Sequence, residues 1–180
     1  MARGLFLGRF QPFHTGHLAV VADLRRRRPD EELLLGIGSA QVSHTPENPF
    51  TGGERMEMVL RALAEARVDG VVPVPLLDID RHGLWVAYLA SLLPPFDRVY
   101  TRNPLTELLF GEAGYEVVPV AWQDRERLEG TRIRRALLEG DAWRALVPPA
   151  VAAYLDAIHA PERLRTLDRA PRPPSVPDRP

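Results

Sequence analysis

Five short apolar runs, with segments of helical periodicity between them, constrain this chain more than anything else in it. The runs are Gly4 to Gly8, Glu32 to Ile37, Val71 to Pro75, Arg98 to Thr101 and Tyr115 to Val120. The intervening periodicity predicts helices over Thr15 to Arg28, Gly52 to Ala66, Leu84 to Leu93 and Pro104 to Phe110. Short apolar runs suit strands covered on both faces, and strands that alternate with helices are joined by crossovers and lie parallel. The expectation is an α/β fold, one parallel sheet with helices on both faces. With 180 residues, 45% of them hydrophobic, the chain can bury one good core and not two.

Local chemistry supports the helix starts. Thr51 and Glu54 are spaced as a capping box, hydroxyl and carboxylate each closing a free amide of the first turn. Asn103 precedes Pro104, an N-cap before a residue that needs no donor. Glu139-Gly140 stops a helix that begins near Thr131, and a last amphipathic helix is expected over Ala150 to His159, packed on the sheet or on a second subunit. Residues 1–167 read as the domain. Residues 168–180, rich in proline and arginine with little to bury, read as a disordered tail.

Net charge is −1, which gives no global field toward nucleic acid or an acidic membrane. All 23 basic residues are arginine, a side chain that grips phosphate in a bidentate fork. Cysteine is absent, so thiolate catalysis, thiolate metal sites and disulfides are excluded. The start MARGLFLGRF lacks the pattern of a signal peptide, and no apolar stretch approaches the ~20 residues of a membrane span. The chain reads as soluble and cytoplasmic.

The run from Gly8 to His17, GRFQPFHTGH, carries the most chemistry. A strand ends in glycine, turns, and enters a helix near His14, which puts free amides and a positive dipole end at the carboxyl edge of the strand. Such a place suits phosphate. His14 and His17 share one helical face, and Gly16 between them allows close approach. Two imidazoles there would stabilise charge on phosphate oxygens. A metal pair or two plain surface histidines are the other readings of the spacing. A second anion cradle runs from Glu129 to Arg135, EGTRIRR, with a glycine, a hydroxyl and arginines on one helix start. Arg9 lies between strand and histidines, and its plain reading is a salt bridge. Trp85 offers a flat apolar face on which a ring can stack. Its plain reading is core, as it is for Trp122 and Trp143.

GRFQPFHTGH resembles the signature of the HxGH nucleotidyltransferase superfamily, and within it the nicotinamide-mononucleotide adenylyltransferases of archaeal type. Gly38 to His44, Asn48 to Arg55, Leu84 to Val86, Pro94 to Tyr100, Asn103-Pro104 and Gly130 to Arg135 are similar to the same family in the same order. The resemblance implies a Rossmann-like fold and an enzyme joining ATP and nicotinamide mononucleotide into NAD and pyrophosphate by direct attack on the α-phosphate. It implies catalytic roles for His14, His17, Arg9 and Arg134, and ATP contacts from Gly8, Arg9, Phe10, Gln11, Phe13, His14, His17, Asn103, Thr131, Ile133 and Arg134. Ser39, Gln41, Asp78 and Trp85 match positions on the mononucleotide side. Magnesium would ride on the ATP phosphates with no site of its own on the protein. A homo-oligomer, a hexamer in related proteins, is implied as well. Glu129 departs from the usual serine, so its carboxylate is expected to turn away from the triphosphate, while Glu47 stands where some relatives are basic and Arg102 replaces a common glycine. A sister transferase with another phosphate acceptor, and a nucleotide-binding module without turnover, are the competing readings.

Overall fold

The computed structural model describes residues 2–120 and 128–170. Among them, strands β1 (Arg3–Gly8), β2 (Glu32–Ile37), β3 (Val71–Pro75), β4 (Arg98–Thr101) and β5 (Glu116–Pro119) form one parallel sheet in the order β3-β2-β1-β4-β5. Phe6 of the central strand pairs with Leu35 on one side and Tyr100 on the other. The helices are α1 (Thr15–Arg27), α2 (Gly52–Ala66), α3 (His82–Leu92), α4 (Pro104–Glu112), α5 (Gly130–Glu139), α6 (Pro149–Ala157) and α7 (Ala160–Arg169).

Strand side chains alternate between two cores. Phe6, Leu33, Leu35 and Ile37 meet α1 and α2, with α5, α6 and α7 extending that layer, whereas Leu5, Leu34 and Val99 meet α3 and α4. Because the central strands are buried on both faces, each full-sized apolar side chain there contributes roughly 1.5–3 kcal/mol, which is why these strands read as continuous apolar runs.

The helix caps follow the local rules. Thr51 and Glu54 close their box in both directions, the Asn103 side chain accepts from the amides of Leu105 and Thr106, and Gly140 ends α5 in the left-handed region at φ 82°. Some boundaries shift. β5 is shorter than expected because Tyr115 leaves the strand to stack on Phe96 at 4.7 Å. The expected final helix is two helices, broken at His159 with φ 52°. They pack on α2 and α5, not on the sheet; the amide of Ala150 donates to Glu65, and Arg163 pairs with Glu54. α7 continues through Arg169, past the boundary expected at 167, and residues 171–180 of the expected tail lie outside the described residues. No helix among the described residues is long and apolar enough to cross a membrane.

Strand order reverses between β1 and β4. The chain steps outward from β1 through β2 to β3, then returns to β4 on the other side of β1. Loops diverge at such a point and leave a crevice at the carboxyl ends of the strands. The amino ends are closed by charge pairs. Glu31, 6% exposed, accepts from the Tyr100 hydroxyl and pairs with Arg98, which also pairs with Glu116, and Arg3 pairs with Glu32.

Candidate active site

A cleft of about 280 Å³ opens where the strand order reverses. His14 and His17 from the start of α1, Thr101 to Pro104 from the end of β4, and Leu128, Glu129 and Gly130 at the start of α5 line it. The imidazole pair and the Gly130 turn therefore share one crevice. Their approach is tight: a Cβ on Gly130 would stand 3.3 Å from the Gln11 carbonyl oxygen, and one on Gly16 would stand 3.2 Å from Leu128 and from the His14 ring. The room at Gly16 thus serves the imidazole.

The two histidines cap their own helix. The His17 amide donates to Nδ1 of His14 and the His14 amide donates to Nδ1 of His17, each at 3.3 Å. The rings stack with centroids 3.4 Å apart. With Nδ1 an acceptor in both, the neutral rings carry hydrogen on Nε2, the arrangement that donates to an anion. Phe10 meets the His17 ring edge-on at 4.8 Å and Phe13 stacks on it at 5.5 Å. Burial lowers the His14 pKa to about 4. Burial, and then the neighbouring His14, holds His17 well below the usual imidazole range.

Gly8 lets the Phe10 ring fold back, since a Cβ there would meet it at 2.7 Å. Phe10, Phe13 and Ile133 are at most 1% exposed and Gln11 3%, so their side chains brace the site from behind. The Gln11 amide holds Phe50 at both its N–H and its carbonyl. Arg134, 9% exposed, lies back across the first turn of α5 and donates to the Gln11 carbonyl at 2.9 Å and to the Thr131 hydroxyl. Burial and the nearby Arg9 lower its pKa, against the pull of Glu47. Glu47, Thr131 and Arg134 together line a smaller hollow beside the cleft. Arg9 is exposed, and among the described residues its guanidinium forms no ion pair; the salt bridge of its plain reading is absent.

Asp78, Arg81, His82 and Trp85 line a second pocket of about 260 Å³, which shares Asn103 with the first. Ser39, Gln41 and Asp78 are brought together. The Ser39 hydroxyl donates to the Asp78 carboxylate, while the Gln41 amide pairs with the Asp78 backbone in both directions. Trp85 is half-buried, edge-on to Phe110 at 5.6 Å, and so is neither pure core nor free. Asn103 uses its carbonyl oxygen to cap α4, which leaves its NH₂ group beside both pockets. Trp143 is buried, as expected of a packing residue, and Trp122 lies outside the described residues.

Two features were not anticipated. Glu129 is exposed but lines the cleft instead of turning from it, and it gives α5 no side-chain cap. Arg55, fully buried, donates to four backbone carbonyls around the site. Its place on the apolar stripe of α2 with Met58, Val59 and Ala62 was the signal that could have marked it.

A family model described as cytidylyltransferase-like matches residues 5–136. A nicotinamide-nucleotide adenylyltransferase of Methanocorpusculum labreanum is 45% identical over 94% of this chain and 99% of the relative. One of Archaeoglobus fulgidus is 46% identical over 92% and 97%, and one of Pyrococcus furiosus 45% identical over 93% and 89%. Among solved structures, a bifunctional NMN adenylyltransferase/ADP ribose pyrophosphatase of Francisella tularensis, complexed with AMP and a manganese ion, superposes with a TM-score of 0.72 at 20% identity, over 92% of this chain. The chain spans about half (51%) of that bifunctional protein, and the likeness shows the shared fold. On its near full-length identity to the archaeal relatives, the chain belongs to the nicotinamide-nucleotide adenylyltransferase family.

Proposed function

We propose that this chain transfers the adenylyl group of ATP to nicotinamide mononucleotide, giving NAD and pyrophosphate. The observation that carries the reading is the pair of pockets that meet at Asn103. One has imidazoles and an uncapped helix start, and the other has an indole and Asp78. An oxygen of the mononucleotide's 5′-phosphate attacks the α-phosphorus of ATP. The new P–O bond forms as the bond to the β-phosphate breaks, and pyrophosphate carries away the electron pair. No covalent intermediate on the enzyme is needed.

His14 and His17 donate from Nε2 to oxygens of the reacting phosphate, which low pKa values favour by keeping both rings neutral donors. Arg9 neutralises developing charge. Thr131, Arg134 and the first amides of α5 hold the departing pyrophosphate. Trp85 stacks the nicotinamide ring, and Asp78 with Ser39 and Gln41 orients its polar groups. In this reading a magnesium ion arrives on the phosphates and has no site of its own on the protein. When bound, that ion supplies charge neutralisation between phosphate oxygens. We place the enzyme in the cytoplasm. The exposed Leu84, Leu92, Leu105 and Leu108 on α3 and α4 support assembly into a homo-oligomer, a hexamer in our reading.

Pyrophosphate release, measured with ATP and each candidate acceptor offered separately, tests the assignment. Release is expected with nicotinamide mononucleotide and not with phosphopantetheine or a sugar phosphate. Equal release with the last two overturns it, and tight NAD binding without release would mark a binding module.

A further inference from the structure

Arg55 is fully buried, forms no ion pair among the described residues, and lies on none of the cleft walls. Its guanidinium donates to the carbonyls of Thr51 at 3.2 Å, Arg9 at 2.8 Å, Gly38 at 2.7 Å and Ser39 at 2.9 Å. Those carbonyls belong to three separate stretches of chain. Arg9 follows the end of β1 and leads to the imidazole pair. Gly38 and Ser39 follow the end of β2 and lead to Gln41 and the Asp78 pocket. Thr51 is the cap of the helix that carries Arg55 itself.

Both loops held this way contain backbone in an unfavourable conformation. Phe10 and Ser39 both sit at φ 51°, a left-handed conformation that costs a residue with a side chain on the order of 1 kcal/mol and persists only where surroundings enforce it. Phe10 directly follows the Arg9 carbonyl, and the Ser39 carbonyl is itself an acceptor. The start of α2 abuts the second loop, since a Cβ on Gly52 would stand 3.1 Å from the Ala40 carbonyl oxygen. A buried cation without a carboxylate is costly. Burial and the positive Arg9 bring its pKa down to about 10, against the pull of Asp78. A packing role alone would be met by an apolar residue on that stripe.

We infer that Arg55 is a positioning residue that clamps the ATP-side loop to the mononucleotide-side loop and so sets the distance between the two reacting phosphates. The inference rests on the proposed reaction. A lysine in its place keeps the charge, but its single ammonium cannot reach four carbonyls on three segments.

Arg55→Lys is therefore expected to fold, to bind ATP alone and nicotinamide mononucleotide alone within about threefold of the parent, and to turn over roughly 10–100-fold more slowly, because in-line alignment fails while each half-site survives. Gly52→Ala leaves Arg55 in place but crowds Ala40. It is expected to lower kcat by roughly 3–10-fold with KM values little changed. Rates are expressed per folded molecule, with unfolding measured by circular dichroism, so a merely structural role leaves kcat unmoved. Should Arg55→Lys fail to fold, Gly52→Ala decides. In whichever variant folds, kcat within twofold of the parent overturns the inference, as do KM losses that account for the whole effect. Hydrogen exchange needs no turnover and separates this inference from the reading of function. Amides after β1 and after β2 are expected to lose protection together in Arg55→Lys, and a loss confined to α2 sinks the clamp even if the reaction stands. A parent protein inactive with these substrates sinks the reaction, and exchange alone then judges the clamp.

Discussion

The two ends of the sheet treat arginine in opposite ways. At the amino ends, Arg3 and Arg98 each meet a carboxylate, and Arg25 donates to the carbonyls of Arg28, Pro29, Glu31 and Asp69. At the carboxyl ends, Arg9, Arg55 and Arg134 gather close enough for their charges to oppose one another, and among the described residues none forms an ion pair. Buried or crowded cations without partners are unfavourable in a resting protein. In the proposed reaction the triphosphate supplies the opposing charge to Arg9 and Arg134, whereas Arg55, like Arg25, spends its donors on backbone carbonyls.

That contrast breaks most sharply at the imidazole pair. His17→Ala should lower kcat by about 10²–10³, the usual cost of one donor to a developing oxyanion, with KM for ATP much less affected. Near-parental turnover would mean that the histidine assignment is wrong. Next in size is a pH effect on stability. His14 is buried neutral, so unfolding lets it take up a proton whenever the pH lies below the unfolded value of 6.5. Its contribution is fully present above that value and declines as pH falls toward about 4, a total of about 3 kcal/mol. The thermal midpoint should fall between neutral pH and about pH 5 in the parent and less steeply in His14→Asn, whose side chain can still cap α1. Equal slopes would refute the burial argument.

Arg134→Lys should raise KM for ATP by roughly 10–100-fold, because an ammonium cannot keep both the Gln11 carbonyl and an incoming phosphate. An unchanged KM would place Arg134 among structural arginines. At the other end of the sheet, Glu31→Gln should cost about 1–3 kcal/mol in chemical denaturation while leaving kcat per folded molecule intact. A fall in kcat there would erase the distinction between the two ends. Smallest is Trp85→Ala, which should weaken nicotinamide mononucleotide by roughly 3–30-fold with ATP affinity nearly unchanged. Matching losses for both substrates would contradict ring stacking.

Much of this was legible in the residues. β2, β3 and β4 fall where the apolar runs put them: β2 and β4 are buried on both faces and cannot hide their composition, and the edge strand β3 keeps an apolar run because it packs against α2. The Thr51 and Asn103 caps and the Gly140 stop follow from neighbours a few residues away. What escaped depends on partners distant in sequence. Tyr115 looks like strand until Phe96 claims its ring. α7 hides behind the left-handed His159 and a proline at its start. The spacing of His14 and His17 told that they share a face, not that each ring accepts the other's amide. The apolar stripe of α2 marks Arg55 as buried but not what it holds, because its four acceptors sit on segments that only the tertiary fold brings to it.

The bond from Arg134 to the Gln11 carbonyl closes a loop of 123 positions. During synthesis the turn after β1 with its histidines precedes α5, so the growing chain carries one wall of the cleft before the other exists. In the proposed reaction, capture of the triphosphate therefore waits until α5 has docked against the turn after β1, which ties the onset of catalysis to a contact between distant segments.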